Sequence, residues 1–110
     1  MGRMQRRKGR RAELEIVHLH RNLGIEAERV PDSGASRYRQ VAGDVDVHVF
    51  GENEGPLIAE VKSRGKGTGF RVLERWLADN DLLFVRRDHA QPLVVLGWDV
   101  WERLILRVRR

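Results

Sequence analysis

Two segments of alternating apolar residues, joined by a short glycine-rich turn, constrain the fold more than any other feature of the sequence. In the first segment, Val45, Val47 and Val49 alternate with polar residues, and GENEG at 51–55 is typical of a turn. The second segment, PLIAEVK at 56–62, alternates in the same way. Successive side chains of a strand point to opposite faces of a sheet. The sequence therefore predicts a β-hairpin that buries its valines on one face.

The other face of this hairpin is predicted to carry acids. Asp44 and Asp46 lie on the first strand, and Glu60 and Lys62 lie on the second. Carboxylates held close together repel each other unless a positive charge lies between them, and Lys62 offsets only part of their charge. Carboxylate oxygens suit Mg²⁺, which also binds waters and substrate phosphates. The pattern indicates a Mg²⁺ site for phosphate chemistry, with Mn²⁺ as a substitute. The alternative is an exposed hairpin with solvated ion pairs.

Basic residues surround this acidic pattern. The chain has 110 residues and a net charge of +5, from 21 Lys+Arg against 16 Asp+Glu. Its first eleven residues contain six basic residues and no acid. Such a surface attracts polyanions, nucleic acid above all, although a solubilising tail is the alternative. The residues predicted from this charge pattern to contact DNA phosphates are Lys8, Arg10, Arg11, Arg37, Arg39, Arg64 and Lys66.

The remaining periodicity predicts a single α/β domain over residues 1–110, with 1–7 as a basic arm. The predicted elements are a helix over 8–23, strands over 25–30, 43–50 and 56–62, a helix over 70–80, strands over 81–87 and 92–98, and a helix or mixed segment over 99–110. We expect one mixed sheet flanked by helices, with the apolar segment 92–98 at its centre. The chain lacks cysteine, which excludes disulfides and thiolate metal sites. It has no apolar run long enough to span a membrane.

These motifs resemble the Holliday-junction resolvases of the PD-(D/E)XK nuclease superfamily, in their archaeal and phage-encoded forms. The superfamily core places an aspartate at the start of one strand and Glu-x-Lys on the next, similar to GDVDV and LIAEVK. The resolvases begin with K-G-x-x-x-E-R-E-L, a helix, G-[FI]-x-x-x-R and a Ser/Gly loop. Residues that fit this order are Lys8, Gly9, Glu13, Glu15, Gly24, Arg29, Ser33 and Gly34. The segment 69–98 resembles phage-encoded members more than archaeal ones.

The resemblance implies a restriction-endonuclease-like fold and a Mg²⁺-dependent endonuclease that cuts four-way DNA junctions. It implies a cytoplasmic protein, in a prokaryotic or phage-infected cell, that acts without a membrane or a small-molecule cofactor. Glu13, Asp44, Glu60 and Lys62 would be the catalytic residues, and Glu13, Asp44, Asp46 and Glu60 the metal ligands. Arg29 would contact DNA near the scissile phosphate, Ser33 would lie in a loop that enters the junction, and Ser63 would also contact DNA.

The sequence departs from the resolvase pattern at one position and is ambiguous at another. Leu14 stands where the family has an arginine, which puts one DNA contact in doubt. Either Asp44 or Asp46 could be the motif aspartate, and we favour Asp44 because GD opens the strand. Two other functions stay open. One is a PD-(D/E)XK nuclease that acts on flaps, nicked or duplex DNA, and the other is a DNA-binding module whose acids are only structural.

A homodimer is also predicted. Resolving a junction requires two cuts, and one chain carries one acidic cluster, so two chains related by a two-fold axis would match the substrate. Five apolar residues of the C-terminal segment are predicted to form the interface: Trp98, Val100, Trp101, Leu104 and Leu106. The alternative is that they complete a small core.

Overall fold

The elements follow the predicted order. A computed structural model describes residues 2–30 and 44–109, with side chains from Gly9 onward. The elements are α1 (Gly2–Arg21), β1 (Ala27–Arg29), β2 (Val45–Val47), β3 (Leu57–Ala59), α2 (Thr68–Leu77), β4 (Leu82–Val85), β5 (Leu93–Leu96) and α3 (Trp98–Val108). The α/β class is confirmed. The chain divides into two compact units, one up to Ser63 and one over Arg64–Val108, and the single domain stays a prediction.

An antiparallel sheet in the order β1-β2-β3 forms the first unit together with α1. Val45 lies between Arg29 on β1 and Ala59 on β3, and α1 contacts both β1 and β2. The buried apolar side chains of this unit are Val17, Ile25, Ala27, Val45, Val47 and Val49. Each buried valine or isoleucine stabilises the fold by about 1.5–3 kcal/mol. The predicted alternation is confirmed around β2, where Asp44, Asp46 and His48 are only half-buried, but not in β3, where both Leu57 and Ile58 are exposed.

Helix α1 begins six residues earlier than the sequence predicts and ends where a glycine allows it to end. Residues 2–7 of the predicted arm are helical, since arginine, methionine and glutamine favour a helix and no stop signal precedes Lys8. Gly24 has a φ of 79°. The amide of Gly24 donates to the carbonyl of Arg21, and the amide of Ile25 donates to that of His20. This is a Schellman cap, which favours glycine at the left-handed position.

The second unit contains the antiparallel pair β4-β5 with α2 and α3. The described strands therefore form two antiparallel sheets, where the sequence predicts one mixed sheet. The central position predicted for 92–98 is wrong, because β5 pairs only with β4 among the described strands. Leu93 is 69% exposed and Val94 52% exposed. A short connection joins β4 to β5, and it favours local antiparallel pairing over placement in a larger sheet.

The helices of the second unit bury few side chains. In α3, Val100 and Ile105 are buried, whereas no residue of α2 is buried. Trp76 of α2 is 56% exposed and is not a core residue. Within the described ranges, no helix has both the length and the apolar character needed to cross a membrane.

Candidate active site

Asp44 links the start of β2 to the chain that follows β3. Its amide donates to the carbonyl of Ala59 at 2.8 Å, and its Oδ2 accepts a hydrogen bond from the amide of Val61 at 2.9 Å. Val61 lies between Glu60 and Lys62. The carboxylate of Asp44 is therefore held beside the Glu-x-Lys segment, as the sequence predicts. The hydrogen bond also restricts its rotation, because an amide donor favours one orientation of the carboxylate.

Glu60 and Lys62 form an exposed ion pair on this segment. Lys62 Nζ lies 3.5 Å from Glu60 Oε1, and the two side chains are 63% and 53% exposed. An ion pair as exposed as this stabilises a fold by about 0–1 kcal/mol. Both groups are accessible to a ligand, and this arrangement suits a role in chemistry better than a role in stability.

Asp46 lies further from the Glu-x-Lys segment than Asp44 does. In the strand register, Asp46 is opposite Ile58 on β3 and Glu28 on β1. Asp44 precedes Val45, whose partner on β3 is Ala59, and this places Asp44 across from Glu60. The register supports Asp44 as the motif aspartate, and the choice between the two aspartates stays a prediction.

Glu13 reaches the same sheet from α1. Its Oε1 accepts a hydrogen bond from Arg29 Nε at 2.8 Å, and the side chains of Arg29 and Glu13 are 29% and 16% exposed. Arg29 is paired with Val45, and the amide of Val30 donates to the carbonyl of Asp44 at 2.9 Å. The ion pair therefore lies at the end of the sheet where Asp44 begins β2. The sequence predicts separate roles for Glu13 and Arg29, and their contact is seen only in the structure.

Further acids line β1 beside His48. His48 Nε2 lies 2.9 Å from Glu28 Oε1, and this hydrogen bond, with the charges of Glu28, Glu26 and Asp46, raises the pKa of His48. A hydrogen bond to Glu52 and the charge of Glu52 raise the pKa of Glu26. Glu28 is absent from the residues predicted to form the site. The alternation of acids in IEAERV is the signal that could have revealed it.

The available donors are of the type that Mg²⁺ binds. Asp44 and Glu60 supply two carboxylates, and Mg²⁺ is commonly bound by one or two carboxylates together with waters and phosphate oxygens. Within residues 9–30 and 44–109, no three His, Asp or Glu side chains converge as a metal cage would require. The donor set fits an ion that takes its remaining ligands from water and substrate.

The predicted DNA contacts fall in three parts of the chain. Arg10 and Arg11 lie exposed on α1, and Lys8 belongs to the same helix without a described side chain. Ser63, Arg64 and Lys66 are exposed before α2. Ser33, Arg37 and Arg39 lie outside the described residues.

Comparison with known families gives a match over most of the chain. The family model Hjc, described as archaeal Holliday junction resolvase (hjc), matches residues 4–106. No curated protein and no solved structure matches the chain significantly. The matched range spans nearly the whole chain and contains the candidate catalytic residues Glu13, Asp44, Glu60 and Lys62.

Proposed function

The chain belongs to the Hjc family of archaeal Holliday junction resolvases, nucleases that resolve four-way DNA junctions, and we propose that it acts by metal-dependent, paired nicking as a homodimer. The observation that carries this proposal is the hydrogen bond that holds the Asp44 carboxylate beside the Glu60–Lys62 segment. In each nick, water adds to phosphorus and one P–O bond to deoxyribose breaks. The segment 69–98 favours a phage-encoded type acting in the cytoplasm of the host.

The proposed metal ligands are Asp44 and Glu60, with Glu13 and Asp46 as further carboxylates. A bound Mg²⁺, or Mn²⁺ in its place, supplies water activation and stabilises the negative charge on the phosphate. Asp44 contributes a carboxylate that the Val61 amide already orients. This orientation lowers the entropy that must be lost when ligand and substrate assemble.

Lys62 is proposed to act on the reacting phosphate. Its ammonium lies 3.5 Å from Glu60 Oε1, so a phosphate placed near Glu60 is also within reach of the lysine. A positioned cation stabilises the charge that develops as water attacks, and it needs no reorganisation at that moment. Glu13 is proposed to be catalytic as well, from its place on α1.

The proposed DNA-binding residues are basic or hydroxyl side chains that contact the backbone. They are Lys8, Arg10, Arg11, Arg29, Ser33, Arg37, Arg39, Ser63, Arg64 and Lys66. Contacts to phosphates position a protein on DNA without reading its sequence. We therefore expect selectivity for the branched shape of the junction and little preference for base sequence.

The proposed homodimer supplies two active sites to one junction. Leu104 and Leu106, two of the residues predicted for the interface, are 50% and 38% exposed on α3. Val100 is buried within the unit and cannot contribute a large contact. Two-fold dimers are the commonest oligomers, and a two-fold axis relates the two cleavage points of a junction.

The function is tested with three labelled substrates: an immobile four-way junction, a flap and a duplex, each with Mg²⁺ or with EDTA. We expect paired symmetric nicks in the junction with Mg²⁺ and none with EDTA. Glu60→Gln should abolish the nicks, whereas Glu54→Gln, an equal change of charge in the exposed turn, should not. Cutting of flaps alone would favour another PD-(D/E)XK nuclease, and binding without cutting would favour a DNA-binding module.

A further inference from the structure

Helix α2 presents exposed aromatic side chains to solvent. None of its ten residues is buried, and Phe70, Leu73 and Trp76 follow one another at intervals of three. Residues three apart are neighbours on the surface of a helix. Phe70 is 42% exposed and Trp76 is 56% exposed. Because both rings are open to solvent, both are available to a ligand.

A groove within the second unit runs beside these rings. Its volume is about 670 Å³, which lies in the range of about 300–1,000 Å³ that is usual for small-molecule sites. The apolar lining is provided by Phe70, Val72, Leu73 and Trp76. Gly67 and Gly69 line the groove without side chains, and a Cβ placed at Gly69 would meet no other atom within 4 Å. The groove therefore has room for a flat ring beside the helix.

Two cations line the same groove. Arg64 and Lys66 are exposed and precede α2 in the chain. Aromatic rings beside cations suit a ligand that combines a flat aromatic face with negative charge, and a nucleotide has both features. A second copy of the chain suits the groove less well. A two-fold contact here would bring the same two cations together from both copies, and like charges across an interface oppose association.

We propose that this groove binds an unpaired nucleobase of the bound DNA, which stacks on Trp76 while Arg64 and Lys66 contact the flanking phosphates. The strands of a four-way junction part at the branch point, and a base leaves the stack at least cost where its pairing is already broken. Every base has a π-face, so stacking accepts any sequence. The groove thus favours branched DNA over a continuous duplex. This inference rests on the proposed function and adds a contact to bases, which the phosphate contacts do not supply.

Two substitutions alter the groove and leave its cations in place. Trp76→Ala removes a ring that is 56% exposed, so that no cavity opens in the core. Gly69→Leu adds a side chain where the new Cβ has no neighbour within 4 Å, and leucine favours a helix more than glycine does. Phe84→Ala is the matched control, because Phe84 is an aromatic residue of the same unit that is 63% exposed and lies on β4, away from the groove lining.

The first measurement compares two single strands of about 12 nucleotides, oligothymidylate and a strand with the same phosphates but abasic sugars. We expect the unchanged protein to bind oligothymidylate about 5- to 150-fold more tightly, the scale of stacking one base. Trp76→Ala and Gly69→Leu should lose this preference and keep the affinity for the abasic strand, whereas Phe84→Ala should keep both. Equal affinity of the unchanged protein for the two strands, or an undiminished preference in Trp76→Ala, would overturn the proposal.

The second measurement tests the groove on branched DNA in EDTA, where no cleavage occurs. Trp76→Ala should weaken binding to an immobile four-way junction about 5- to 150-fold and leave binding to a continuous duplex unchanged. The slope of log Kd against log salt should stay the same, because no phosphate contact is lost. Equal weakening for the junction and the duplex would overturn the preference for branched DNA.

Two further outcomes separate the groove from a dimer interface and from the proposed function. A shift from dimer to monomer in Trp76→Glu, measured by sedimentation equilibrium without DNA, would show that a second copy occupies the groove and would overturn the proposal. A protein that prefers oligothymidylate through Trp76 but leaves junctions uncut in Mg²⁺ would contradict the proposed function and support the groove. Junction cleavage without any preference for bases would do the reverse.

Discussion

At the scale of single residues, the acids of the site differ in what holds them. The side chain of Asp44 is bonded to the Val61 amide, whereas Glu60 is exposed and paired only loosely with Lys62. Asp46 is half-buried further along β2. These differences lead to distinct expectations for substitutions that change charge and little else.

Asp44→Asn is expected to abolish junction cleavage, and Asp46→Asn is expected to reduce it less. The reason is the register, which places Asp44 across from Glu60 and Asp46 across from Ile58. Junction binding by Asp44→Asn should be unchanged or tighter, because the lost carboxylate repels phosphate. Cleavage and gel-shift assays measure the two effects. A greater loss in Asp46→Asn would make Asp46 the motif aspartate.

Lys62→Ala should slow cleavage by roughly 100-fold or more, the scale reported for one electrostatic stabiliser of a transition state. Lys62→Arg should recover only part of the rate, because it keeps the charge but changes its shape and reach. The measurement is single-turnover cleavage at saturating protein, so that a change in affinity does not enter. Full cleavage activity in Lys62→Ala would contradict the role proposed for Lys62 in stabilising the transition state.

The pair of His48 and Glu28 predicts a pH-dependent contribution to stability. The hydrogen bond to Glu28 raises the pKa of His48 above its ordinary value of 6.5 in the folded state. The stabilisation is therefore fully present below pH 6.5 and is lost as the pH rises through the folded-state pKa. Glu28→Gln should lower the free energy of unfolding by about 0.2–1 kcal/mol at about pH 6, the usual worth of a partly exposed pair.

Urea unfolding at about pH 6 and about pH 9 tests this expectation, since the effect of Glu28→Gln should shrink at the higher pH. His48→Gln should remove the same pH dependence. Glu28→Gln could instead lower the free energy of unfolding by the same amount at both pH values. That result would show that the titration of His48 does not contribute to the interaction with Glu28.

At the scale of elements, helix α1 both packs on the sheet and carries basic residues. Its C-terminal half packs Val17 against the sheet, and its N-terminal half continues into the basic residues at the start of the chain. Because residues 2–7 are helical, the arginines at 3, 6 and 7 are carried on a helix that also carries Arg10 and Arg11.

Deleting residues 1–7 should weaken the salt dependence of junction binding. A protein with about 6–10 phosphate contacts loses on the order of 10³–10⁵ in affinity between 50 and 200 mM salt, and each lost contact reduces that slope. Replacing Arg3, Arg6 and Arg7 with glutamine keeps the helix length and should reduce the slope similarly. Fluorescence anisotropy over a salt series measures it. A flat salt response in the unchanged protein would contradict the polyanion interpretation.

At the scale of the whole molecule, the exposed apolar side chains of the second unit are the feature to explain. Leu104 and Leu106 on α3 and Phe84 on β4 are among them. Apolar surface of this kind is typical of an interaction surface when it is contiguous. Exposed apolar side chains lie on all four elements of this unit, and the proposed dimer is tested on two of them, α3 and β4.

Sedimentation equilibrium without DNA should give a mass of two chains of 12.8 kDa each. Leu104→Glu with Leu106→Glu should shift the protein to monomer, because both side chains are exposed and their change leaves the core intact. Leu82→Glu with Phe84→Glu is the comparison on β4. Dissociation by the second pair alone would move the interface to the β4-β5 sheet. A mass of 12.8 kDa at all micromolar concentrations would exclude a preformed dimer.

The local features of this chain follow from its sequence because each depends on neighbours along the chain. The order of eight elements, the burial of Val45, Val47 and Val49, and the cap at Gly24 are all of this kind. Side-chain periodicity and backbone φ are properties of a few consecutive residues. The same periodicity predicts that Asp44, Glu60 and Lys62 lie on one hairpin.

Contacts between distant residues were decided by tertiary structure. The pairs of Glu13 with Arg29 and of Glu28 with His48 are 16 and 20 residues apart in the chain. The separate pairing of β4 with β5 is a further case, because an apolar strand has the same pattern at the centre of a large sheet or in a two-stranded one. Periodicity predicts which face of a helix or strand is apolar, but tertiary packing determines which other element covers that face. Which carboxylate meets which cation is therefore set by the register of the strands and the position of α1 on them.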